Sequence, residues 1–74
     1  MYVGNLDDEV DEKDLITFFK NYFTSIRSAR VIFDSTTGKS RGYGFINLTD
    51  YFEYFQLLKS NKPFILHDKI LIIK

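Results

Sequence analysis

Tyr43 and Phe45 stand two apart in the stretch RGYGFI, residues 41–46, and a third ring, Tyr2, stands in MYVGNL at the start of the chain. Residues two apart in a strand point to the same face, so Tyr43 and Phe45 enter the core together or leave it together. Outside the core such rings present flat π surfaces. The chemistry available to this set is non-covalent capture of a flat ligand. The alternative is three ordinary core rings of a small aromatic-rich domain.

The elements that carry the rings decide between the two. MYVGNL reads as a strand over residues 1–4, closed by Asn5 and an acidic turn. Asp11 is a natural N-cap with Asp14 at the third helical position, and Val10 and Leu15 fit a hydrophobic staple. Leu15, Phe18, Phe19 and Tyr22/Phe23 then recur at helical spacing, which predicts a helix to about residue 23. ARVIF, residues 29–33, reads as a second strand, DSTTGKSRG as a long hairpin loop with Gly38 at a positive backbone angle, and YGFINL as a third strand. Asp50 and Glu53 open a second helix in a D-x-x-E capping arrangement that runs to about residue 60, and KILIIK, residues 69–74, reads as the last strand.

The order is β-α-β-β-α-β, the ferredoxin-like split βαβ arrangement of the α+β class: a four-stranded antiparallel sheet with both helices on one face. The other face stays open. Gly44 and Ile46 suit the packed side of the third strand, so Tyr43 and Phe45 turn outward; Met1 and Val3 suit the core, which turns Tyr2 outward as well. Three rings on one open sheet face suit flat ligands, namely nucleobases.

Composition narrows the alternatives. The 74 residues make one small domain over 1–74, with 45% hydrophobic and 27% charged residues and no apolar run of membrane-spanning length. No cysteine is present, so disulfides, thiolate metal sites and thiol nucleophiles are all excluded. Net charge is zero but unevenly spread: DDEVDEKD, residues 7–14, holds six of the ten acids and one lysine, leaving nine Lys/Arg against four Asp/Glu elsewhere. His67, alone in LHDK, has no companions for metal or catalytic work. No catalytic residue, metal site or cofactor is expected.

RGYGFINL and MYVGNL together resemble the two signatures of the RNA recognition motif. The eight-residue pattern K/R-G-F/Y-G/A-F-V-x-F/Y is met at Arg41, Gly42, Tyr43, Gly44 and Phe45, and MYVGNL meets the companion six-residue signature about 35 residues earlier. The stretch SIRSARVIFDSTTGKSRGYGFI is similar to such motifs in U-rich RNA-binding splicing and translation regulators. The resemblance implies a single-stranded RNA-binding module of a larger intracellular protein, in the nucleus or cytoplasm and engaged in mRNA processing. It implies that Tyr2 and Tyr43 stack on two bases, that Phe45 lies against the sugars between them and that Arg41 meets a phosphate. Lys39, Arg30 and Lys74 around the rings are either further basic contacts or solvated charges, and Asn47 either hydrogen-bonds a base edge or has a structural role in its strand.

Three departures qualify the resemblance. Leu48 replaces the final aromatic of the signature at a core-facing position. Ile32, Ile70 and Ile72 lean outward where many such domains carry polar groups, and Tyr51, Phe52, Tyr54 and Phe55 crowd the second helix. Either surface would suit a protein partner, so a protein-interaction module is the competing expectation for an otherwise monomeric domain. Enzymatic relatives fit poorly: acylphosphatases share the topology but carry an arginine and a phosphate-cradling loop after strand one, where this chain has the acidic NLDDEV. Metal chaperones of this topology carry a Cys-x-x-Cys.

Overall fold

A computed structural model describes residues 1–74. The elements are β1 (Tyr2–Gly4), α1 (Glu12–Lys20), β2 (Ile26–Phe33), β3 (Ser40–Leu48), α2 (Tyr51–Leu58), β4 (Ile65–Leu66), β5 (Lys69–Ile70) and β6 (Ile72–Ile73). The main sheet has the order β2-β3-β1-β6 with every neighbouring pair antiparallel. Both helices contribute to one core on one face of it: Leu15 and Phe19 from α1 and Leu57 from α2 join Val3, Val31 and Ile46 from the strands. This is the expected α+β ferredoxin-like fold.

Local chemistry explains where α1 starts. The Asp11 carboxylate accepts from the Asp14 backbone N–H (2.9 Å), and Asp14 in turn accepts from the Asp11 N–H (3.1 Å), a complete capping box. Val10 and Leu15 are both buried beneath it. The helix ends at Lys20 rather than 23, because Asn21 caps it and a turn delivers Phe23 to the core while Tyr22 stays exposed. At α2 the capping expectation holds by half. Asp50 accepts from the Phe52 and Glu53 N–H groups. Glu53 does not reach back to it, crossing instead to the Thr24 (3.2 Å) and Ser25 (2.8 Å) N–H groups ahead of β2.

The strands depart from expectation at their ends. β2 begins at Ile26 and β3 at Ser40, since each supplies the other's ladder partners, Ile26 facing Leu48 and Phe33 facing Ser40, whatever the propensity of the polar residues between. The single last strand is corrected most. His67 and Asp68 both adopt positive φ, 53° and 62°, folding β4 and β5 into a two-stranded hairpin of their own. Only Ile72–Ile73 joins the main sheet, so Ile70 lies outside it.

Candidate nucleic-acid interface

Pairing across the sheet aligns the residues of the open face in rows. Tyr2 faces Phe45, and Phe45 faces Arg30. On the other side of β1, Tyr2 and Lys74 exchange two backbone hydrogen bonds of 2.9 and 3.0 Å, which extends the β6 edge by one residue. One row therefore runs Lys74, Tyr2, Phe45, Arg30, two rings bracketed by two cations. A neighbouring row runs from Ile72 through Gly4 to Tyr43. Val3, Gly44 and Val31 occupy the intervening row, on the core side.

The three rings form one cluster. Tyr2 and Tyr43 are stacked, with centroids 5.7 Å apart and planes 27° from parallel, and Phe45 meets both edge-on at 6.1 and 6.3 Å. Phe45 remains 44% exposed while the two tyrosines are half-buried against their neighbours. Two glycines make this arrangement fit. A Cβ on Gly4 would come within 2.6–2.9 Å of the Tyr2 ring, so Tyr2 lies down along its own strand only because Gly4 has no side chain. A Cβ on Gly44 would strike the Arg30 carbonyl, so the close approach of β2 and β3 under the rings also needs glycine. The platform is flat and on the surface; the cavity between α1 and the β4–β5 hairpin, lined by Lys13, Phe18 and His67 among others, lies elsewhere.

The polar residues of the site differ in how free they are. Arg30, Lys39 and Lys74 are exposed. Arg41 is exposed too, but its guanidinium lies 3.4 Å from the Asp34 carboxylate across the β2–β3 loop. Asp34 Oδ1 accepts from the Thr36 and Thr37 N–H groups at 2.8 and 3.0 Å, leaving Oδ2 for Arg41. Those hydrogen bonds, with Thr37 and Thr36 ahead of Arg41, hold the Asp34 carboxyl below the usual aspartate range. Gly38, at the positive φ of 74° expected of it, closes the same loop. Asn47 donates from Nδ2 to the Ser28 hydroxyl at 3.0 Å, which fixes its amide beside the row of rings.

The structure thus brings Tyr2, Tyr43, Phe45, Arg30 and Lys74 together on one face, with Asn47 next to Phe45 along β3 and Arg41 and Lys39 at the loop end. Gly4 and Asp34 escaped sequence reasoning. The seat under Tyr2 was hinted at by the small residue two positions after the ring, whereas the Asp34–Arg41 pair depends on how the loop folds. Ile72 is exposed on the open face opposite Gly4, as expected, while Ile32 is half-buried.

Comparison with known proteins agrees with this geometry. The family model for the RNA recognition motif matches residues 1–62. Polyadenylate-binding protein RBP45A of Arabidopsis thaliana is 44% identical over 50 residues, 68% of this chain and 13% of that protein. Human splicing factor 3B subunit 4 is 37% identical over 51 residues, 69% of this chain and 12% of that protein. The chain therefore spans roughly an eighth of the length of these curated relatives. Among solved structures, the second RRM domain of yeast poly(U)-binding protein superposes with a TM-score of 0.83 at 34% identity, covering 99% of this chain and 87% of that one. By its two signatures, its sheet order and these matches, the chain belongs to the RNA recognition motif family.

Proposed function

We propose that this domain binds single-stranded RNA, as a unit of a larger protein, by stacking bases on Tyr2 and Tyr43. The observation that carries the reading is the stacked Tyr2–Tyr43 pair with Phe45 at its edge, held on a sheet face that no other element covers. Phe45 lies against the sugar between the two bases. Arg30 and Lys74, at opposite ends of the Tyr2–Phe45 row, neutralise phosphates on either side, and Arg41 and Lys39 do so at the loop end. Asn47 reads a base edge. One copy suffices for this contact, and the domain carries out no chemistry on the RNA.

The relatives support the class of ligand and suggest its sequence. Their names speak of poly(A), poly(U) and splicing, and the β2–β3 stretch is similar to that of U-rich binders, so a uridine-rich strand of a messenger or its precursor, in nucleus or cytoplasm, is the proposed partner. Each stacked base contributes about 1–3 kcal/mol, and the salt slope is about −0.7 per phosphate contact.

Residue-resolved NMR titration with short U-rich, A-rich and mixed single strands tests the reading. Shifts centred on Tyr2, Tyr43, Phe45 and Arg41 are expected, with roughly tenfold or greater loss of affinity in Tyr43→Ala or Phe45→Ala. Full affinity in either folded variant would defeat the stacking model.

A further inference from the structure

A bulge near the start of β2 adds one more cation to the open face. Ile26 pairs with Leu48 and Ala29 with Ile46, and all four residues lie on the core side of the sheet. Between these two pairs β3 has one residue, Asn47, whereas β2 has two, Arg27 and Ser28. In an unbroken strand residues three apart point to opposite faces, so Ile26 and Ala29 share the core only because of the extra residue. Both Arg27 and Ser28 are thereby left off the core side. Ser28 lies on the open face, where its hydroxyl accepts from Asn47 Nδ2 at 3.0 Å, and Arg27 beside it is exposed.

We propose that Arg27 is a further RNA contact, which holds the phosphate of a third nucleotide beyond the two that stack on Tyr2 and Tyr43. The assignment rests on the stacking reading and lengthens its footprint. Position supports it first. Arg27 is three residues from Arg30, roughly 10 Å along β2, and a strand that leaves Phe45 over Asn47 meets it next. The base of that nucleotide lies over Asn47, whose Nδ2 is engaged by Ser28 through one hydrogen, leaving Oδ1 and the second N–H free to face it.

Charge supports it as well. The ion pairs of the domain are Arg41 with Asp34 and His67 with Asp7, so Arg27, unlike Arg41, has no carboxylate to exchange for a phosphate. β2 is also an edge strand, and the two ends of its free edge differ. The Glu12 carboxylate accepts from the Val31 N–H at 3.0 Å, which makes the edge acidic near Val31 and leaves it basic near Arg27. An anionic strand passing off the platform is repelled at the first place and drawn to the second.

Titration of the 74-residue chain with diuridylate and with octauridylate, followed by NMR at several salt concentrations, tests the proposal. The dinucleotide fills the two stacking places and does not reach Arg27; the octamer does. With the octamer, Arg27→Ala should lower affinity severalfold and make the slope of log affinity against log salt shallower by about 0.7, and Arg27→Lys should keep the parent slope. With diuridylate, Arg27→Ala should change nothing, and the Arg27 Nε–H resonance of the parent should shift only with the octamer. Because Arg27 is exposed, the spectrum of the free sheet should be the same in both variants. An unchanged slope for Arg27→Ala on the octamer overturns the assignment, as does an equal loss on both lengths or a slope that Arg27→Lys does not restore. Tyr43→Ala, measured beside them, separates the two readings: its loss of binding with a silent Arg27→Ala defeats only the third nucleotide, whereas full affinity in Tyr43→Ala defeats the stacking model on which it rests.

Discussion

Tyr2 stacks on Tyr43 only by lying across Gly4, two residues further along its own strand. The ring fills the space that a side chain at position 4 would occupy, with contacts of 2.6–2.9 Å to the place of the missing Cβ. The platform is therefore set by a glycine within β1 as much as by the tyrosines.

Gly4→Ala should lift the Tyr2 ring off its seat. Since a side chain yields more easily than backbone, stability should change little, but the 5.7 Å stack with Tyr43 should be lost and RNA affinity should fall severalfold. Ring-current shifts of the two tyrosines, followed beside an RNA titration, check this. Unchanged shifts would mean that the seat is not what orients the ring.

Gly44→Ala should behave oppositely, because its neighbour is the Arg30 carbonyl and the β2 backbone cannot swing aside. A loss of about 1–3 kcal/mol is expected from this overpacking, read as a lower urea midpoint. A variant as stable as the parent would show that β2 and β3 can separate locally at no cost.

Asp34 restrains Arg41. Asp34→Asn keeps Oδ1 for the Thr36 and Thr37 N–H groups but removes the charge facing the guanidinium. RNA affinity should rise severalfold with a steeper salt dependence, since Arg41 no longer exchanges a carboxylate for a phosphate. A fall in affinity would instead make Asp34 the group that positions Arg41. In a chain already carrying Arg41→Ala, adding Asp34→Asn should make no further difference.

Glu53 ties α2 to the start of β2, and its hydrogen bonding should make stability acid-sensitive. Ser25 is the main cause, with its hydroxyl and its backbone N–H both turned to the carboxylate, followed by Thr24; the hydroxyl itself completes no well-directed bond, while the N–H donates at 2.8 Å. The folded carboxyl consequently titrates below the usual glutamate value of 4.5. Its contribution is complete above that value and is lost as the pH falls through the lower folded one. Denaturation midpoints measured across this acid range should drop less steeply in Glu53→Gln than in the parent, whose remaining slope reflects Asp7 and Asp34, both lowered by their own hydrogen bonds.

Much of this was legible in residue order. Period-2 alternation around Tyr43 and Phe45 assigned the rings to the open face, and Gly44 and Ile46 to the core, because strand geometry leaves no third choice. Asp11 and Asp14 announced the start of α1, since capping is satisfied within four residues of chain. Local chemistry of that kind is encoded locally.

What the tertiary structure decided is what depends on partners distant in sequence. KILIIK has the composition of one strand, yet the turn at His67–Asp68 pairs its first half with Ile65–Leu66 and leaves only Ile72–Ile73 for the sheet. D-x-x-E promised a capping box at α2, but unpaired N–H groups at Thr24 and Ser25 competed for Glu53 and won it. The alignment of Lys74, Tyr2, Phe45 and Arg30 in one row, the Asp34–Arg41 pair and the bared aromatic stripe of α2 likewise arise only when separate elements meet. Hydrogen-bond donors and apolar surfaces are satisfied by whatever the fold brings within reach, and sequence spacing alone does not say what that will be.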